Sequence, residues 1–149
     1  MKEVKQQLFK ACQDFVLEKE KTVKKIISSN QNALHSETKS SAGDKHETGR
    51  AMLQLEMEKA GQQLAVVDKM KMTLERVVLN DNSEIVKLGS LVTTNKHHYF
   101  LAISVGEIQI DNEKYYAVSI ASPIGKLLLG KKVGDEFTFK GRTVIEKII

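Results

Sequence analysis

The chain has 149 residues, 41% hydrophobic and 28% charged, with 5% aromatic residues, no Trp and one Pro. That composition describes one or two small folded domains rather than a disordered tail, and the longest apolar runs, such as Leu127–Leu129, are far too short to span a bilayer. A net charge of +4, spread over both halves, does not call for a nucleic-acid partner, and the single Cys12 excludes an internal disulfide framework and a cysteine-only zinc site. Met1–Lys10 alternates charged and apolar residues with no apolar core before a cleavage site, so the expected location is cytoplasmic, with no membrane contact and no sequence-specific DNA binding.

The N-terminal segment carries an amphipathic pattern at Val4, Leu8, Ala11 and Phe15, which resumes at Val23, Ile26 and Ile27 after the charged stretch Glu18–Lys21. From Leu53 the pattern sharpens. Leu53, Met57, Ala60, Leu64, Val67, Lys71, Leu74 and Val78 step by four and three alternately, the heptad signature of a coiled-coil seam. Ser28–Gly43, rich in Ser, Asn, Thr and Gly, reads as the turn between two helices. The second, from about Asp44 to Leu79, would be roughly 50 Å long at ~1.5 Å per residue. A dimeric coiled coil would need a second apolar stripe, and Leu55, Val66 and Met70 supply a patchy one, which favours an intramolecular antiparallel hairpin.

After Asn80–Ser83 the period changes to that of strands. Val86–Thr93, Tyr99–Val105, Tyr115–Ala121, Glu136–Lys140 and Thr143–Ile148 are predicted strands of a small antiparallel sheet, with turn signals at Asn95-Lys96, Asp111-Asn112 and Gly141. Ser122-Pro123 supplies a cap and a first-turn proline for one short helix that ends near Gly130. The fold class is α+β: a helical hairpin over 1–79, with its tip near 31–47, and a small domain over 80–149.

No nucleophile–base–orienter set and no phosphate-binding glycine loop is present. His97 and His98 are adjacent at the start of a strand, so they point to opposite faces and are read as surface residues. The informative segment is the hairpin tip, where Asp44 and Glu47 lie three residues apart at a helix start. At that spacing the two carboxylates can jointly offer oxygens to a hard cation such as Mg²⁺, with the other ligands coming from water or a partner. The same spacing is that of a capping box, with Asp44 as the cap and Glu47 three residues on. Both readings stay open.

Gly43-Asp44-x-x-Glu47 at the tip of a hairpin, followed by a small sheet domain and the string Ser122-Pro123-Ile124-Gly125-Lys126-Leu127-Leu128-Leu129-Gly130-Lys131-Lys132-Val133-Gly134-Asp135, resembles the bacterial Gre transcript-cleavage factors. The resemblance runs from about Gly43 onward and implies an FKBP-like C-terminal domain that docks at the rim of the RNA polymerase secondary channel. It further implies a hairpin reaching down that channel, with tip acids that help hold a catalytic Mg²⁺ and so stimulate cleavage of backtracked RNA. On this resemblance Asp44 and Glu47 correspond to the metal-positioning acids, and Ser122, Pro123 and Ile124 to the docking segment. The factor would be an accessory to the polymerase's own catalysis rather than an enzyme. It would have no cofactor of its own, would share the polymerase's Mg²⁺, and would meet the nascent RNA 3′ end only indirectly. Where the family continues Glu-Asn-Ala-Glu-Tyr, this chain has Glu47-Thr48-Gly49-Arg50-Ala51, and Lys45, His46 and Arg50 surround the acids. Those bases motivate a second reading, a regulator that occupies the channel without promoting cleavage and competes with cleavage factors. A third, a peptidyl-prolyl isomerase suggested by an FKBP-like fold, would need an aromatic-lined pocket. Tyr99, Phe100, Tyr115, Tyr116, Phe137 and Phe139 fall instead at strand positions suited to a core.

Overall fold

The structure, a computed structural model, describes the backbone of residues 2–38 and 43–149, and their side chains except at 37–38 and 43–46. The elements in chain order are α1 (Lys2–Thr38), α2 (Gly43–Glu75), β1 (Leu91–Thr94), β2 (His98–Ala102), β3 (Gly106–Ile110), β4 (Glu113–Ser119), α3 (Pro123–Leu128), β5 (Glu136–Thr138) and β6 (Arg142–Ile148). They fall into two compact units, Val16–Met70, and Met1–Phe15 with Lys71–Ile149.

In the helical unit Val16, Glu20, Val23, Ile27, Asn30 and Leu34 of α1 are buried or half-buried and step by four and three, with Ala33 half-buried beside them. On α2 the expected seam holds: Leu53, Met57, Ala60, Leu64 and Val67 are buried or half-buried, while Leu55 and Val66 are exposed. The predicted turn over Ser28–Gly43 is corrected, because residues 28–38 are helical and α2 begins at Gly43. The α1 stripe explains this, since Asn30, Ala33 and Leu34 continue the seam of Val16 and Val23 and give the polar segment a face to bury. Of the expected tip, 31–38 and 43–47 are helical, and 39–42 lie outside the described residues.

In the second unit six strands form one sheet in the order β3-β4-β2-β1-β6-β5. The sheet is mixed, which corrects the antiparallel expectation: β2 and β4 run parallel, with His98 beside Tyr115 and Phe100 beside Ala117. The cause is a strand the sequence reading missed. After β2 the chain crosses to the outer edge as β3 and returns through Asp111-Asn112 as β4, which fills the gap between β3 and β2. Both turn residues have positive φ, 49° and 67°, the backbone of a two-residue hairpin turn whose twist matches its strands.

One sheet face buries Val92, Tyr99, Leu101 and Ile145 against Ile124 and Leu128 of α3. Leu91, Phe100 and Ala117 are buried as well. The start of α1 belongs to the same unit, with Lys5, Leu8 and Cys12 almost inaccessible to solvent. Lys5 Nζ donates to the Ile149 carbonyl at 3.1 Å, and burial, reinforced by Lys87, holds its pKa below the ordinary lysine value. Burial also pushes the Cys12 thiol up to about 11, against a weaker opposing hydrogen bond from the Ile103 backbone, so this cysteine is an inert packing residue. No helix among the described residues is long and apolar enough to cross a membrane.

Among the described residues the seam contains one uncompensated group. Asn30 is 8% exposed and its Nδ2 has no hydrogen-bond partner among the described residues. A buried amide donor left unpaired costs about 1–3 kcal/mol. Asn30→Val, which matches the Val23 and Val16 positions one and two heptads earlier, is therefore expected to stabilise the chain by ~1 kcal/mol. Thermal unfolding of the two proteins side by side should show the higher midpoint for the variant; a lower one would mean that the amide has a partner in solution.

Candidate functional site

Two regions carry the residues singled out from the sequence. At the start of α2, Gly43 is the first helical residue, so Asp44 stands inside the first turn rather than at the cap position the capping-box reading gave it. Asp44 and Glu47, three apart on one helix, occupy backbone positions on the same side of it. Glu47 and Arg50 are exposed, whereas the side chains of Asp44, Lys45 and His46 lie outside the described residues. No group of three or more metal-ligating side chains gathers anywhere among the described residues. Two carboxylates at that spacing would be hard oxygen donors of the kind Mg²⁺ takes, and would fill only part of its octahedron.

The second region is the turn from β4 into α3. Ser122 caps α3: its Oγ accepts from Gly125 N at 3.1 Å and donates to the Ser119 carbonyl at 2.6 Å. Pro123 occupies the first turn, where its missing N–H costs nothing. Ile124 is 7% exposed and packs in the core. A Cβ on Gly125 would collide with the Ser119 carbonyl, so only glycine lets α3 lie this close to the end of β4. At the far end the helix is left at Leu129, whose backbone is φ −56°, ψ 127°, and Gly130, φ +82°, is the next residue of a turn closed by Lys131 N donating to the Leu128 carbonyl at 3.0 Å. Of the three docking residues inferred from the sequence, Pro123 alone is exposed; Ser122 and Ile124 build the turn that displays it.

Beside this turn opens a pocket of about 540 Å³ that the sequence reading did not foresee. The rings of His97, Tyr99, Tyr116 and Phe139 line it, with Val118 and Ile124, and Lys96 and Lys140 stand at its margin. Tyr99, Phe100 and Tyr115 do fill the core, but Tyr116, Phe137 and Phe139 are only half-buried. His97 packs edge-on against Tyr116 at 5.0 Å and Tyr99 at 6.1 Å, while His98 turns to the opposite face and meets Tyr115. His98 is not purely a surface residue: its Nδ1 lies 2.9 Å from Thr93 Oγ1, and its Nε2 lies 3.5 Å from Glu113. The signal that could have revealed the pocket was the alternation Tyr99/Tyr116 on neighbouring parallel strands, which depends on a register that the missed β3 obscured.

Residues 81–148, spanning all six strands and α3, match the family model described as "Transcription elongation factor, GreA/GreB, C-term". This part of the chain is a GreA/GreB C-terminal domain. Two long helices precede it, and the match supports a GreA/GreB-like transcription elongation factor. No curated protein matches the chain. The Gre-type string Ser122–Asp135 is the capped helix α3 and the segment after it; Ile124, Gly125 and Leu128 are buried, while Pro123, Leu129 and Val133 are exposed.

Replacing Ser122 by Ala removes a cap and is expected to cost about 1 kcal/mol. Gly125→Ala forces a backbone collision and is expected to cost ~3 kcal/mol or more. Urea unfolding followed by circular dichroism checks both, and equal small effects would contradict the close approach at Gly125.

Proposed function

We propose that this GreA/GreB-like factor binds RNA polymerase at its secondary channel through the surface around Pro123, and stimulates cleavage of backtracked RNA with the acids Asp44 and Glu47 at the start of α2. The observation that carries the reading is the family match over residues 81–148 combined with a capped turn that displays Pro123 on the domain surface. The exposed Glu47 carboxylate and its neighbour Asp44 account for the other half: a pair too small to hold a metal alone is suited to completing a site whose remaining ligands belong to the partner. A hard divalent cation held there supplies charge neutralisation and a more acidic water. The chain's own part is to place two oxygen donors, and to orient them through one rigid helical turn. The protein acts as an accessory to the polymerase and takes no cofactor outside that complex.

The exposed Arg50, with Lys45 and His46 close by in sequence, supports the second reading. Basic groups beside the acids lower their effective negative charge or pair with RNA phosphates, which would leave a channel-occupying regulator that competes with cleavage factors.

The deciding experiment is transcript cleavage in a stalled, backtracked elongation complex, comparing the wild type with the Asp44→Ala, Glu47→Ala double variant. The wild type is expected to shorten the transcript and the double variant to lose that effect by about two orders of magnitude or more while still binding polymerase. Polymerase binding without any shortening by the wild type would replace the cleavage reading with the regulator.

A further inference from the structure

The pocket beside α3 is closed on one side by the β5–β6 turn, Phe139–Lys140–Gly141, and that turn is held from across the sheet. Thr94 at the end of β1 organises the β1–β2 turn: its Oγ1 accepts from the Lys96 and His97 amides and donates to the His97 carbonyl at 2.9 Å. The turn so formed presents two side chains to the opposite hairpin. Asn95 Oδ1 accepts from Val144 N at 2.9 Å, and Asn95 Nδ2 donates to the Arg142 carbonyl at 3.3 Å. Lys96 Nζ donates to the Lys140 carbonyl at 2.9 Å and to the Phe139 carbonyl at 3.4 Å.

The backbone it grips is of an unusual kind. Lys140 has φ +53° and Gly141 φ +112°, and a Cβ at Gly141 would come within 2.8 Å of Lys96 Nζ. A non-glycine residue in the left-handed region is held there by its surroundings rather than by its own preference. The surroundings at Lys140 are the Lys96 ammonium on its carbonyl and its own ammonium 5.9 Å from the centre of the Phe139 ring. The turn is also closed by its own backbone, where Phe139 N donates to the Gly141 carbonyl at 2.9 Å, so Lys96 adds a second hold, from a different hairpin, on the residue that forms one wall of the pocket.

We propose that Lys96 is a positioning residue for partner recognition: with Asn95 it clamps the β5–β6 turn, so that Phe139 stays opposite Tyr116 and Ile124 and the pocket remains open to receive an apolar side chain of the polymerase. This rests on the docking reading above, because the pocket shares Ile124 with the turn that displays Pro123. The Lys140 ammonium at the margin favours an acidic residue next to that apolar anchor. Lys96 contributes through geometry, by delivering donors to two carbonyls, so a side chain of the same length without donors should fail where another donor-bearing one succeeds.

The test uses the full chain with Lys96→Met and Lys96→Arg. Two readouts are taken: the equilibrium affinity for purified bacterial RNA polymerase, and nuclear Overhauser contacts of the Phe139 ring in the free protein. Lys96→Met is expected to weaken polymerase binding about threefold to tenfold and to lose the contacts between Phe139 and the pocket rings. Lys96→Arg should restore both. The thermal midpoint should move little in either variant, since the clamp is solvent-exposed. Retention of the Phe139 contacts in Lys96→Met overturns the clamp. Loss of those contacts with unchanged polymerase affinity overturns the role in recognition. If the wild type fails to bind polymerase, the docking reading and the recognition role fall together, and the Phe139 contacts still decide whether Lys96 sets the wall.

Discussion

The C-terminal domain depends on a single close approach, that of the Gly125 backbone to the carbonyl of Ser119. Ser122 bridges the two with one hydroxyl, donating to the Ser119 carbonyl and accepting from the Gly125 amide. Because α3 leaves β4 at that distance and angle, Ile124 and Leu128 drop onto Val92, Leu101 and Ile145, and the helix covers one face of the sheet. A six-residue helix has too few internal hydrogen bonds to persist alone, so its stability is that of its cap and its buried face. The same geometry leaves Pro123 outside and makes Ile124 one side of the aromatic pocket. Packing and display are consequences of one turn, and a substitution at Ser122, Ile124 or Gly125 tests folding before it tests binding.

The helical unit follows a different logic. Its seam mixes apolar residues with Glu20 and Asn30, and the outward face of α2 carries Leu55 and Val66. A polar residue at a seam position gives up stability and penalises alternative registers, in which its amide would meet different neighbours. A slip of one heptad between the two helices would displace the end of one against the other by about 10 Å, so under the proposed role of Asp44 and Glu47 register matters more than strength.

The legibility of the sequence varied with how much of each signal was local. The α2 seam from Leu53 to Leu74 and the Ser122-Pro123…Gly130 brackets of α3 were readable because each rests on spacing and caps within one element. The α1 stripe was only half readable, since Lys5, Cys12, Glu20 and Asn30 occupy buried or half-buried positions and interrupt the apolar pattern. This is also why the Ser- and Asn-rich residues after Ile27 resembled a turn. β3 was missed although Asp111-Asn112 was recognised as a turn, because an edge strand with Glu107 and Gln109 facing solvent offers only Ile108 and Ile110 as a pattern. With β3 absent, the parallel β2–β4 pairing had no cause, and the pocket formed by that register was hidden. For the candidate site, the roles of Ser122 as a cap and Pro123 as the exposed residue could be read from type and order. The burial of Ile124 and the grip of Lys96 on a turn 44 residues away are tertiary facts.

The most direct measurement of the central claim is the equilibrium affinity of the full chain for purified bacterial RNA polymerase, compared with that of Pro123→Asp. Pro123 is exposed, and the substitution adds a charge without opening the core, so the fold can be checked independently by its unfolding midpoint. The account predicts saturable binding by the wild type, and at least tenfold weaker binding by a variant with an unchanged midpoint. Equal affinity of the two proteins, or no binding by either, would contradict it.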